Sequence, residues 1–276
     1  MIKMTLQEKY SQLNKEKSAL LATNFYNVET LQGVLRAAKQ TTMPLILQTS
    51  PSTISYLGAH VAAQLAKASL KQMDIEGWLH LDHAESFDLI KECLDEGYDS
   101  VMIDASKQSF EENVKITKKV VKLAEQYGAS VEAELGYIAK PGEDSSELQF
   151  TNPEQARNFV DTTGIDALAV AIGSAHGFYD KEPNLQIDLL RQIDEATPCA
   201  LVLHGSSGIP SDQIRSGIRS GIRKINIATE MKNIFMQTLK QELADSDNID
   251  LRKVFPPATE QITSLVIQKL ENINNA

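Results

Sequence analysis

Cysteine is scarce in this chain: of its 276 residues only Cys93 and Cys199 carry thiols. Two thiols cannot build a disulfide framework, which points to a reducing compartment and a cytoplasmic protein. Long apolar runs are missing too. The longest inside any candidate strand, Ala167–Ile172, falls far short of the roughly 20 residues a spanning helix needs, so no membrane span is expected. The N-terminus mixes charged and polar residues and shows no secretory apolar stretch. Positive charge is in deficit, with 27 lysines and arginines against 37 aspartates and glutamates and a net charge of −10 at pH 7. That balance argues against nucleic-acid or anionic-membrane partners, which demand a basic footprint, and leaves room for a local anion pocket. No Pro/Gly/Ser-rich linker interrupts the chain, so residues 1–276 are read as one domain.

What is present is an alternation. Short, nearly continuous apolar runs occur at Leu20–Phe25, Pro44–Ser50, Gly77–Asp82, Ser100–Ala105, Ser130–Leu135, Ala167–Ile172, Ala200–Gly205 and Lys224–Thr229. Runs of this kind are expected for parallel strands covered on both faces. Between them lie amphipathic stretches such as Val28–Lys39 and Glu111–Tyr127, and Asn152-Pro153 reads as a helix start. Eight strand–helix alternations predict a (β/α)8 TIM barrel. A doubly wound open sheet is the competitor, but no G-x-G-x-x-G follows the first run. Thr5–Glu16 is expected to cap the bottom of the barrel. Pro257–Asn272 is expected as a last helix near the top or against a neighbouring subunit.

The active site of such a barrel lies at the C-terminal ends of its strands. The runs end in, or give way to, Asn24, Ser50, Asp82-His83, Asp104, Glu134, His176-Gly177, His204-Gly205-Ser206-Ser207-Gly208 and Asn226-Ile227-Ala228-Thr229. Of the five histidines, His83, His176 and His204 fall at this rim. A lone rim histidine is most simply a hydrogen-bonded structural residue; three on one closed barrel can surround an open coordination position, the arrangement of catalytic zinc. His80 is expected inside the barrel or behind the ligands, and His60 on a helix. Asp82 suits acid–base work beside a cation, or alternatively holds a histidine ligand in its tautomer. Asp104 and Glu134 are further ligands or charge partners. Gly177, the Gly205–Gly208 loop and Asn226–Thr229 precede helices, where backbone N–H groups and hydroxyls of Ser206, Ser207 and Thr229 can cradle phosphate.

Taken in order, these segments resemble the zinc-dependent class II ketose-bisphosphate aldolases, in the branch of tagatose- and bacterial fructose-bisphosphate aldolases. The resemblance runs through Asn24–Leu31, His80–His83, Ser100–Asp104, Val131–Gly136, Asp166–Gly177, Leu203–Pro210 and Lys224–Asn226. It implies that His83, His176 and His204 bind one Zn2+, with Glu134 and Asp104 as alternative metal-site carboxylates. It makes Asp82 the acid/base at the C4 oxygen of the ketose. Gly177, Gly205, Ser207, Asn226 and Thr229 match positions that hold the dihydroxyacetone-phosphate half, partly around a monovalent cation (Na+ or K+). Asn24, Ser50, Ser206, Ile227 and Ala228 join the expected substrate contacts. Arg252, in Asp250-Leu251-Arg252, resembles an arginine that reaches the distal phosphate of a partner subunit, which implies a homodimer or homotetramer. The loop Ala139–Asp144 is one residue longer than the family's usual Gly-Gly-x-Glu-Asp, and Glu143 is its expected proton-carrying carboxylate.

The implied reaction is retro-aldol cleavage of a ketose 1,6-bisphosphate to dihydroxyacetone phosphate and an aldehyde. The Schiff-base alternative needs a lysine at a strand's C-terminal end, and none of the eight runs supplies one. An aldolase for another phosphoketose, a phosphosugar epimerase or isomerase, and an accessory barrel without catalysis are the remaining alternatives. The last predicts lost metal ligands, whereas all three histidines are present.

Overall fold

The computed structural model describes residues 4–136, 138, 150–179, 183–244 and 246–276. Its strands are β1 (Leu20–Asn24), β2 (Leu45–Thr49), β3 (Gly77–Ala84), β4 (Ser100–Ile103), β5 (Ser130–Leu135), β6 (Ala167–Val170), β7 (Ala200–Leu203) and β8 (Ile222–Ile227). They pair in sequence order, all parallel, and β8 returns to β1 to close the barrel. The first six helices are α1 (Leu6–Glu16), α2 (Val28–Thr41), α3 (Pro51–Leu57), α4 (Ala59–Met73), α5 (Phe87–Asp95) and α6 (Phe110–Ala124). The rest are α7 (Pro153–Thr163), α8 (Ile187–Ala196), α9 (Ser211–Arg219), α10 (Thr229–Ala244), α11 (Leu251–Val254) and α12 (Pro256–Asn274). None is long and apolar enough to cross a membrane among the described residues. The expected (β/α)8 barrel is therefore the observed one.

Local chemistry sets the helix starts. Thr5 and Glu8 form a reciprocal capping box at α1, and Asn152 Oδ1 accepts from the backbone N–H groups of Glu154 and Gln155 with Pro153 in the first turn of α7. The strands are apolar almost throughout because alternate residues face two different cores. Residues facing outward pack against the helical ring. Those facing inward, including Ala22, Ile46, Trp78, Met102 and Val202, pack with Leu6, Tyr10 and Leu13 of α1. Helix α1 thus plugs the bottom, as the sequence suggested.

The last helix does more than expected: α12 packs between α9 and α2 and touches β1, closing the helical ring, and near its end Lys269 reaches Glu230 at the mouth end of the barrel at 2.6 Å. The contact with α2 is close at Gly33, where a Cβ would run into Ile262, and Thr263 Oγ1 donates to the Gly33 carbonyl at 3.1 Å. Helix α10 follows β8 directly yet buries only Met231 and Phe235, leaving the barrel wall to α12.

Candidate active site

Strand β3 continues two residues beyond the expected Asp82, and this extension builds the site. Its register with β4 shifts between Leu81 and Ala84, and His83 adopts a left-handed backbone with φ of 51°. Neighbouring strand residues ordinarily point to opposite faces. The bulge cancels that alternation, so Asp82 and His83 both line the mouth. Left-handed backbone is costly for a residue other than glycine, and such strain concentrates at functional sites.

His83 meets His176 from the loop after β6 and His204 from the end of β7. Their ring centroids lie 4.8 Å (His83–His176), 4.6 Å (His83–His204) and 5.7 Å (His176–His204) apart. One nitrogen of each lies within 4.8 Å of the others, so the three can share a single ion. His83, Asp104 and Glu134 form a second group within the same limit. Asp104 Oδ2 sits 3.0 Å from His83 Nδ1, and the other Asp104 oxygen accepts from Ser106 Oγ at 2.7 Å. Asp104 therefore fixes the His83 ring and turns its Nε2 toward the other imidazoles.

Asp82 is gripped by two carboxamides. Asn24 Nδ2 donates to Oδ2 and Asn226 Nδ2 to Oδ1, both at 3.3 Å. Burial alone would raise its pKa, but His83, His204 and Lys224 outweigh burial and hold the carboxyl below its ordinary value. Of the two roles open from sequence, holding a histidine falls to Asp104, while Asp82 faces the cavity as a carboxylate. His83 shows the converse balance: burial opposes its charge, yet Asp82, the Asp104 hydrogen bond and Glu134 raise it to about 9. His204 is pushed well below the ordinary histidine value, first by burial and then by His83.

A cavity of about 40 Å³ opens over these groups, lined by Asn24, Asp82, His83, His176, Gly177, His204, Gly205, Ser207, Asn226, Ala228 and Thr229. Ala228 and Thr229 stand at the N-terminus of α10, whose orphan N–H groups favour an anion. The loops carrying His176 and His204 touch so closely that a Cβ on Gly205, itself at φ of 64°, would collide with the Ala175 carbonyl. Tyr179 ties them together: its hydroxyl accepts from Ala175 N–H at 2.8 Å and donates to Gly205 O at 2.7 Å. A much larger hollow of about 620 Å³ between α5 and α6, lined by Ile103, Val120 and Leu123, holds no comparable group of imidazoles.

Four expected contacts fall outside the lining. Ser50 caps α3, its hydroxyl accepting from Thr53 N–H at 3.4 Å. Ser206 spends its hydroxyl on the Asn226 carbonyl at 2.5 Å, bracing the loop rather than facing the cavity. Ile227 packs into the outer core because its neighbours Asn226 and Ala228 face the mouth. Arg252 is 90% exposed in its side chain and forked onto its own Asp250, at 3.0 and 3.2 Å. Glu143 lies outside the described residues.

Sequence reasoning also passed over a layer beneath the histidines. Lys224 is the third residue of β8, not its first, and points inward to Glu132 Oε2 at 2.7 Å. Glu132 Oε1 meets His204 Nε2 at 2.7 Å. His80, expected inside the barrel, lies there against Ser100 and Lys224. A signal was present: Glu132 and Lys224 are charged residues within otherwise apolar strands. A lysine committed to Glu132 is no Schiff-base candidate, and no lysine lines the described cavity.

Over residues 4–276 the chain matches the family described as fructose-bisphosphate aldolase class-II. It is 42% identical over 253 residues to the D-tagatose-1,6-bisphosphate aldolase subunit GatY of Klebsiella oxytoca, covering 90% of this chain and 89% of that protein. It is 37% identical over 279 aligned residues to the fructose-bisphosphate aldolase of Geobacillus stearothermophilus, covering 99% and 97%. The crystal structure of the YdjI aldolase from Escherichia coli K12 superposes with a TM-score of 0.88 at 29% identity, over 99% of this chain and 97% of that one.

Proposed function

Because the chain belongs to the class II fructose-bisphosphate aldolase family and is an aldehyde-lyase of that class, we propose that it cleaves a ketose 1,6-bisphosphate of the fructose or tagatose type. The products are dihydroxyacetone phosphate and an aldehyde such as glyceraldehyde 3-phosphate. The observation that carries this reading is the convergence of His83, His176 and His204 beside the ionised Asp82.

The donor set fits zinc: three imidazoles from separate elements, two of them partly exposed at the cavity, leave a side open for substrate. Bound there, Zn2+ supplies a Lewis acid for the ketose C2 oxygen, where negative charge gathers as C3–C4 breaks. Asp82, kept as a carboxylate and aimed by Asn24 and Asn226, takes the proton from the C4 hydroxyl so that the aldehyde can leave. Glu143 returns a proton to C3. Gly177, Gly205, Ser207 and Thr229 hold the phosphate of the dihydroxyacetone half at the N-terminus of α10, with a monovalent cation among them. Asp104 holds His83, and Asp104 and Glu134 beside it would offer the ion alternative carboxylate ligands. Binding energy from the phosphate, remote from the bond that breaks, fixes the reacting carbons.

Arg252 belongs to the same proposal as the group that reads the distal phosphate in a partner's mouth, so the working unit is a homodimer or homotetramer. Its exposure and its absence from the lining of its own cavity support that assignment. The single barrel domain over residues 1–276 and a cytoplasmic location complete the proposal, the latter consistent with two free thiols. The test is a coupled assay for dihydroxyacetone phosphate over a panel of phosphorylated ketoses, with and without chelator. Release from a 1,6-bisphosphate that chelator abolishes and zinc restores is expected. Cleavage at full rate in stripped protein, or isomerisation without cleavage, overturns the reading.

A further inference from the structure

The inner wall of the barrel carries five polar side chains in one connected chain directly under the histidine cluster. His80 Nδ1 lies 2.9 Å from Ser100 Oγ, and His80 Nε2 lies 3.4 Å from Lys224 Nζ. Lys224 Nζ donates to Glu132 Oε2 at 2.7 Å, and Glu132 Oε1 lies 2.7 Å from His204 Nε2. His80, Glu132, Lys224 and His204 are all sealed from solvent, at 1% exposure or less in the side chain. Apolar residues would fill this volume at lower cost, since burying a charge pair forfeits hydration that attraction only partly returns. A stability role alone leaves the pair unexplained.

Donor and acceptor chemistry gives the layer a direction. Lys224 has only donors, so His80 Nε2 must accept from it and His80 Nδ1–H donates to Ser100. Glu132 has only acceptors, so His204 must carry its hydrogen on Nε2. Asn226 Nδ2 also lies 3.2 Å from that nitrogen, but a protonated Nε2 has no lone pair to accept with, and Asn226 donates to Asp82 instead. The Nδ1 lone pair of His204 is left facing His83 and His176.

We propose that Glu132 and Lys224 are positioning residues for metal capture: Glu132 orients His204 so that Nδ1 meets the ion, and Lys224 holds Glu132 in place. The inference rests on the reading that His83, His176 and His204 hold the metal. Neither residue touches the substrate. Partners behind a ligating histidine commonly change metal affinity by about 10–100-fold when removed.

Two paired substitutions separate positioning from packing. Glu132→Leu with Lys224→Met removes both charges and keeps an apolar fill. It is expected to melt cooperatively near the wild type yet bind zinc about 10–100-fold more weakly in chelator competition. Its Co2+-substituted form is expected to show an altered visible spectrum. Glu132→Gln with Lys224→Met keeps an acceptor for His204 Nε2–H and is expected to regain most of the affinity. A merely structural pair would make both variants follow their melting temperatures. Zinc affinity and Co2+ spectrum equal to wild type in the Leu/Met protein overturns the proposal.

A measurement on the unsubstituted, zinc-loaded protein guards against variants that do not fold. Long-range 15N–1H spectra of the imidazoles are expected to show His204 protonated on Nε2 and metallated on Nδ1; the reverse assignment overturns the proposal. If the wild-type chain binds no zinc, the metal reading fails first and the positioning roles fall with it. Tight zinc binding by every variant sinks the positioning roles alone.

Discussion

His83 Nε2 lies 2.9 Å from His204 Nδ1, while His83 Nδ1 lies 3.0 Å from Asp104. With His204 donating through Nε2 to Glu132, its Nδ1 can only accept, so the hydrogen between the two rings belongs to His83. A doubly protonated His83 donates both ways, in keeping with its raised pKa of about 9.

Zinc and this proton compete for the same nitrogen. In chelator-stripped protein, zinc binding below about pH 9 is therefore expected to release about one proton at His83, with apparent affinity rising roughly tenfold per pH unit and levelling above that point. Titration calorimetry in buffers of different ionisation enthalpy reads the proton count. The sign for stability follows from a folded value above the ordinary 6.5: the protonated form stabilises the stripped fold fully below pH 6.5, and the gain is lost as pH rises through about 9. A stripped His83→Ala protein should thus lose least at pH 10. Affinity independent of pH between 6.5 and 9 contradicts the shared hydrogen.

Asp82→Asn keeps the shape of the side chain but removes the base. The variant is expected to retain one zinc per chain and lose on the order of 10²–10⁴-fold in kcat. Metal analysis beside the coupled assay checks both halves. Undiminished turnover would move the C4 proton to another group.

The fold and most of this site were legible because a parallel barrel writes itself as apolar runs with polar ends, and His83, His176, His204, Asp82 and Thr229 sit at those ends. Less visible was the bulge that lets Asp82 and His83 share a face, since nothing in Asp-His marks a left-handed residue. Glu132 and Lys224 were hidden for a different reason. A barrel interior pairs residues 92 positions apart, and periodicity reports which face a residue takes but not what it meets there. Ring closure by α12 is likewise a tertiary choice: α10 follows β8 directly in the chain, and only packing decides that α12 covers β1. Tyr179 carried no motif at all.

That tyrosine and Gly205 make the joint between the His176 and His204 loops testable. Tyr179→Phe deletes hydrogen bonds to Ala175 and Gly205, worth about 1 kcal/mol each in net terms, and should lower both thermal stability and zinc affinity. Gly205→Ala should be the harsher change, because it adds a left-handed strain of about 1–2 kcal/mol to a collision with the Ala175 carbonyl. Unfolding curves and chelator competition on both proteins measure this order. Equal affinities in the two variants and the wild type would show that the loops hold their histidines independently.

Arg252 offers the sharpest test of the assembly. Within its own chain the guanidinium is exposed and held by Asp250, and it does not line the cavity it is proposed to serve. Arg252→Ala is expected to raise KM for a ketose 1,6-bisphosphate at least tenfold, while a ketose 1-phosphate, lacking the distal phosphate, is handled as before. Mixing decides whose mouth the arginine enters. When Arg252→Ala and Asp82→Ala chains exchange subunits, a site with Asp82 intact can borrow Arg252 from its partner, and bisphosphate cleavage should reappear. If the arginine served its own chain, every mixed site would lack one of the two groups and the mixture would stay as poor as its components. Recovered activity with a wild-type KM for the bisphosphate is the expected result. A mixture no better than its parts, with exchange verified by mass, would return Arg252 to its own barrel or remove it from catalysis.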